Sequence, residues 1–170
     1  MRKISFVIIY RLSPFVKNYL RIFREIFGNA TFEVIILAIF RYFLLFLLGG
    51  SGYYALECLW RGWSHISMFF AGGVCFLLLG KLNALRPPLK LPLRGIVGAL
   101  IITMVELAAG LLVNRHYRVW DYRHMPLNFC GQICLPFSLL WVFLSLGAMK
   151  LYAWADQAIS SALGLPKGQK

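Results

Sequence analysis

Glu57, His65, Glu106 and Asp121 are ionisable side chains at or near membrane depth in a chain that otherwise reads as apolar helix. Such groups are expensive there and generally face a bundle interior, a partner or a wet cavity. A carboxylate or imidazole so placed can bind a polar solute, hold a lipid headgroup or carry a proton. Glu106 lies in ITMVELAAG, where helical spacing sets Ile102, Thr103, Ala109 and Gly110 beside it. That face is small and partly polar, which suits close helix approach. Glu106 reads as a substrate or proton site, or as a buried carboxyl group paired with Arg41 or His65 or kept neutral by a raised pKa. His65 lies between Ser64 and Ser67. It reads as a proton or ligand group near neutrality, or as a hydrogen-bonded residue at the membrane interface.

A second set stands before the last apolar run. Trp120 and Tyr122 suit a belt at the membrane surface. Asp121 between them wants a cation, and Arg61 is the expected partner, forming a latch between two loops. Asn128, Gly131 and Gln132 are expected to open the last helix. Asn128 would cap it. Gln132 would then face the bundle, where an interhelical amide bond contributes about 0.6 and at most about 1.7 kcal/mol. The expected binding set is therefore Glu106, His65, Trp63, Arg61, Asp121, Tyr122, Asn128, Gln132 and Glu57.

Other chemistry is poorly supported. His116 and His124 do not stand at ligand spacing with His65, so no metal site is expected. Cys58, Cys75, Cys130 and Cys134 contain no CxxC and read as small apolar filler, although Cys58 and Cys130 could meet on one face. There is no phosphate loop, no GxSxG and no HExxH, so no ATPase or common hydrolase pattern is present. No cofactor is expected, and no catalytic residue set is identified.

The elements that must position these groups are membrane helices. Hydrophobic residues make up 60% of the chain and charged residues 14%, against about 45–50% and about 25% in soluble domains. Four segments suit spans of roughly 17–25 residues: 32–56, 66–82, 96–114 and 133–154. The second is short and is expected to borrow a turn from 63–65. Residues 4–27 place apolar and basic side chains on different faces, which predicts an amphipathic helix in the membrane interface. The expected fold is all-α: an interfacial helix over 1–30, a four-span domain over 31–156 and a short tail over 157–170.

The net charge of +12 is spread along the chain without a nucleic-acid-binding motif. It reads instead as positive charge flanking membrane spans beside anionic lipid. Thirteen of the eighteen Lys and Arg residues fall on one side of the four-span arrangement, four on the other, and Arg41 within a span. The positive-inside rule then puts both termini in the cytoplasm of a cell-membrane protein. Arg86-Pro87-Pro88 becomes a stiff cytoplasmic turn. The loops at 57–65 and 115–132 both face outward.

WRGWSHISMFFAGG at 60–73, Glu106 followed by Gly110, Asn114, VWDY at 119–122 and NFCGQICLP at 128–136 recur in order. In these motifs the chain resembles the ABC-transporter type IV (CmpB-like) family of small multi-pass membrane proteins, over roughly 50–150. The resemblance implies a permease-like or transport-associated subunit. Four spans are few for a translocation path, so it implies oligomerisation or partner transporter subunits, among them a separate ATPase. The leading expectation is an outward polar site for a small solute or lipid headgroup. The alternatives are a membrane enzyme acting on lipid or isoprenoid, with His65 and Asp121 as acid and base, and a purely structural membrane protein. Lys81–Arg94 is the expected dock for a partner.

Overall fold

The computed structural model describes residues 29–85 and 87–165. The amphipathic helix expected over 4–27 lies outside them. The described elements are helix α1 (Asn29–Arg61), α2 (Ile66–Asn83), α3 (Leu91–Val113), a two-stranded hairpin β1 (Asn128–Phe129) and β2 (Ile133–Cys134), and α4 (Leu135–Ala162). All four helices are long and apolar enough to cross a membrane. The architecture is an all-α, four-span membrane fold carrying one small hairpin.

Helix ends explain where the spans depart from expectation. α1 runs on to Arg61 because Glu57 and Arg61 pair one turn apart, 2.6 Å between Oε2 and Nη2, an i,i+4 arrangement that supports a helix end. Gly62 stops it: its φ is +80° and its N–H donates to the Cys58 carbonyl at 2.9 Å, the left-handed close that glycine permits. α2 does not borrow a turn from 63–65. His65 is extended, and its Nδ1 accepts from the Ser67 backbone N–H at 3.2 Å, so the imidazole itself caps the helix. α3 begins early, with Pro92 in a first turn that needs no donor there. Arg94 Nη1 donates to Asn83 Oδ1 at 3.0 Å, tying the start of α3 to the end of α2.

The last span begins at Leu135 rather than Ile133. Asn128 pairs with Cys134 and Phe129 with Ile133 in antiparallel register. The turn closes from Gln132 N to Phe129 O at 3.0 Å, with positive φ at both Cys130 and Gly131, as mirror-image hairpin turns require. Asn128 therefore does not cap a helix. Its Nδ2 donates to Met125 O at 2.9 Å and its Oδ1 accepts from Gly131 N at 3.1 Å, so it braces the turn. All four cysteines are free.

The chain divides into two compact units, Tyr42–Gln157 and the two end segments. In the described part of the second, Leu165 N donates to Ser160 O at 3.0 Å past a left-handed Gly164, which closes α4. The first unit carries Glu57, His65, Glu106 and Asp121. Its seams are sealed by small residues, as helix packing in lipid requires. Gly49 and Gly50 of α1 and Gly72 and Gly73 of α2 lie under Phe76, Phe69, Tyr53 and Phe46. Gly80 of α2 lies under the Tyr152 ring of α4, and Gly98 of α3 against Ser145 and Met149 of α4. Thr103 Oγ1 donates across to Ser138 Oγ at 3.2 Å.

Candidate functional site

Tyr53, Glu57 and Arg61 recur every four residues on α1, so they share one face. Arg61 extends that face to the 114–134 loop: its Nη1 donates to the Val119 carbonyl at 2.7 Å. Glu57 Oε2 accepts from Arg61 Nη2 and from Ser64 Oγ, each at 2.6 Å. The Arg61 guanidinium also lies 4.9 Å over the half-exposed Trp63 ring. The latch between the two loops thus exists, but it runs from Arg61 to a backbone carbonyl rather than to Asp121.

Asp121 turns the other way. Its carboxylate takes Arg123 Nη2 at 2.7 Å, Arg123 Nε at 2.9 Å and the Arg123 backbone N–H at 3.0 Å. Those hydrogen bonds, side chain first, hold its carboxyl down at about 2. Arg123 in turn stacks over Tyr117 at 4.1 Å. The reason for the correction is proximity. A cation two residues away closes a local fork, and Tyr122 is left to turn toward α3.

Tyr122 reaches Glu106. Its hydroxyl donates to Glu106 Oε1 at 3.0 Å, and Trp141 Nε1 of α4 donates to Oε2 at 3.1 Å. Glu106 is 5% exposed. The partners expected for it, Arg41 or His65, are replaced by two neutral donors. Burial first, then the Glu106 carboxylate, push the Tyr122 phenol well above its usual range, so it stays a donor. The Tyr122 ring stacks on Phe137 at 4.9 Å and 20°, and the Trp141 ring meets Tyr53 edge-on at 6.2 Å.

Above this carboxylate lies an amide clasp. Asn114 Nδ2 donates to Trp120 O at 2.6 Å and to Gln132 Oε1 at 3.0 Å. Gln132 Nε2 returns to Asn114 O at 3.2 Å. Val119 N donates to Asn114 Oδ1 at 2.9 Å, and Trp120 Nε1 to Gln132 O at 2.8 Å. Gln132 enters because Gly110 has no side chain: a Cβ there would overlap its amide. Trp120 packs with Val119 and Met68, beneath which lie Tyr53 and Ala109. The clasp pins the hairpin onto α3 through Gln132.

Two cavities adjoin these groups. The larger, about 410 Å³, lies between the helices and is lined by Tyr53, Met68, Cys75, Phe76, Glu106 and Trp141 among mostly aliphatic residues. The smaller, about 290 Å³, is lined by Glu57, Trp60, Arg61, Trp120, Tyr122 and Phe137. Tyr53, Leu56, Trp141 and Leu144 border both, so the two are neighbours. Of the expected binding set, Glu57, Arg61, Tyr122 and Glu106 border this space. His65 caps α2, Trp63 covers Arg61, Asp121 pairs with Arg123 in the loop before the hairpin, and Asn128 belongs to the hairpin. Tyr53 and Trp141 were not in the expected set. Their signal was helical spacing: Tyr53 lies four before Glu57, and Trp141 four after Phe137.

Residues 23–164 match the model of the family described as Putative ABC-transporter type IV. No curated protein and no solved structure matches the chain. With that match covering most of its length, the chain belongs to the ABC-transporter type IV family.

Proposed function

We propose, from that membership and from the paired cavities, that the protein is a permease-like, transport-associated membrane subunit. The carrying observation is that a cavity bordered by Glu57, Arg61 and Tyr122, the vestibule, adjoins a helix-lined chamber at Glu106. Concave space of a few hundred Å³ with a few convergent polar groups is the usual form of a small-molecule site. The vestibule takes the polar part of a small solute or a lipid headgroup, with Glu57 and Arg61 offering an acceptor and a donor fork. Both termini lie in the cytoplasm under the positive-inside rule, which turns the vestibule outward. The family name and the low number of spans support partner subunits, among them a separate ATPase. The enzyme alternative draws little support, because its acid and base are engaged locally, His65 with Ser67 and Asp121 with Arg123.

The test is uptake of a panel of small polar solutes and headgroup-labelled lipids into cells expressing the protein. Glu57→Gln and Glu106→Gln should abolish the uptake that wild type confers, while the purified variants keep a cooperative unfolding transition. Unchanged uptake in both variants would overturn the proposal. Loss of thermal stability with uptake retained would assign the groups a structural role.

A further inference from the structure

Glu106 is the one charged side chain bordering the larger chamber among the described residues. Both of its hydrogen bonds come from neutral donors, Tyr122 and Trp141, and no ion pair to it is found among the described residues. An ionised carboxylate accepts about four hydrogen bonds, so two donors leave acceptor capacity unfilled. Burying such a group without a cation is costly. Around it stand the rings of Tyr53, Phe76 and Trp141, whose faces attract cations.

The charge balance of this space opposes that of the chain. The protein carries a net +12 and six acidic residues. Two of those six, Glu57 and Glu106, border the two cavities, against Arg61 alone among the described lining residues. A low-dielectric cleft with excess negative charge concentrates cations.

The chamber also opens sideways. Leu48, Gly52 and Leu56 on α1 and Leu144, Gly147 and Leu151 on α4 border it and are exposed. Gly52 and Gly147 meet nothing within 4 Å of a built Cβ. Entry is therefore from the hydrocarbon of the membrane, between α1 and α4, and suits a ligand that partitions into lipid.

We infer that the chamber binds a lipophilic monocation, an aromatic or aliphatic amphiphile bearing a protonated amine or quaternary onium, with its charge on Glu106 and its apolar body between α1 and α4. This deepens the proposed function by naming the ligand class of the same site. Glu57 is already paired with Arg61, so Glu106 is the carboxylate left to balance the ligand's charge.

The probe pair is tetraphenylphosphonium and tetraphenylborate, ions of matching shape and opposite charge. Binding is measured by equilibrium dialysis against the full-length protein in nanodiscs of zwitterionic lipid, with empty nanodiscs subtracted. Tetraphenylphosphonium should bind saturably and tetraphenylborate should not. Glu106→Gln should weaken the cation by at least about tenfold, equivalent to about 1.4 kcal/mol. Gly147→Leu, which fills the chamber without touching the carboxylate, should remove binding while unfolding remains cooperative. Equal binding of both ions, or cation binding indifferent to Glu106→Gln and Gly147→Leu, would overturn the inference. The two readings separate cleanly. Cation binding lost in Glu106→Gln, with solute uptake unaffected by it, sinks transport and keeps the ligand class. Uptake that depends on Glu106 without any cation binding does the reverse.

Discussion

Two seams of the same bundle use glycine in opposite ways. Between α1 and α2, Gly49, Gly50, Gly72 and Gly73 are each covered by an aromatic side chain of the neighbouring helix. Between α1 and α4, Gly52 and Gly147 face open space along the chamber wall. In lipid there is little hydrophobic gain from bringing helices together, so close contact rests on small residues and van der Waals fit. The first seam obeys that logic. The second withholds it at the level of Glu106. Small residues there leave room instead of closing it, and the difference separates a packed seam from an open one.

The largest effect should come from loading a sealed seam. A Cβ at Gly50 would stand 2.6 Å from the Phe69 carbonyl oxygen, a backbone atom that cannot step aside. Gly50→Leu should therefore cost about 3 kcal/mol or more, at the upper end for overpacked cores, and lower the unfolding midpoint in detergent sharply. The same residue change at Gly147 should leave the midpoint near wild type. Equal losses at the two positions would erase the distinction between the seams.

Next in size is the amide clasp at Asn114. Asn114 is 1% exposed, and its removal leaves Val119 N, Trp120 O and the Gln132 amide short of partners. Each buried polar group left unpaired costs about 1–3 kcal/mol, so Asn114→Ala should destabilise by at least about 2 kcal/mol. A double-mutant cycle with Gln132→Ala should return a coupling of about 1 kcal/mol, within the range for interhelical amides. Additive losses would mean that the clasp is not one unit, and that the hairpin is held to α3 by Trp120 packing alone.

How much of this was legible in the sequence follows from the range of the forces involved. The spans were readable because twenty apolar residues in a row have few other uses. Their ends were misjudged wherever one local contact decided them: the His65 cap, the Glu57–Arg61 pair, the left-handed turn at Gly62. NFCGQIC was read as a helix start because Asn is a good cap and an apolar run follows. The hairpin won because positive φ at Cys130 and Gly131 turns the chain back and delivers Gln132 to Asn114. Glu106 was legible as a buried acid, but its partners were sought among charges. Tyr122 and Trp141 were easier to supply, since neutral donors carry no desolvated charge of their own. Asp121 was assigned a distant arginine when a nearer one lay two residues on. Nothing in linear spacing could reveal the cavity, because an empty volume belongs to facing helices and to no single segment.

A smaller effect carries the more telling sign. Gly147 is helical, open and not at positive φ, so Gly147→Ala should remove glycine's entropic cost without a clash. The expected gain is about 0.5–1 kcal/mol, read as a raised unfolding midpoint. At Gly80, where the Tyr152 ring fills the position a Cβ would take, Gly80→Ala should lower it. Opposite signs for one substitution on two helices would tie open space, rather than glycine itself, to the chamber. Matching signs would refute it.

The smallest effect concerns the loop before the hairpin. The Asp121 carboxyl titrates at about 2 in the folded protein, below the ordinary value of about 3.9. Because the folded value is depressed, the Asp121–Arg123 fork stabilises fully above about pH 4, and its contribution is lost as pH falls through about 2. Asp121→Asn should therefore unfold slightly earlier than wild type at pH 5, and the gap should close toward pH 2. The fork is open to water, so screening keeps the effect small and added salt should shrink it further. Cation binding in the chamber should not respond, because neither Asp121 nor Arg123 lines either cavity. A gap that persists unchanged at pH 2, or a loss of chamber binding in Asp121→Asn, would mean that this loop and the Glu106 site act as one structure. The division between scaffold and site would then have to be redrawn.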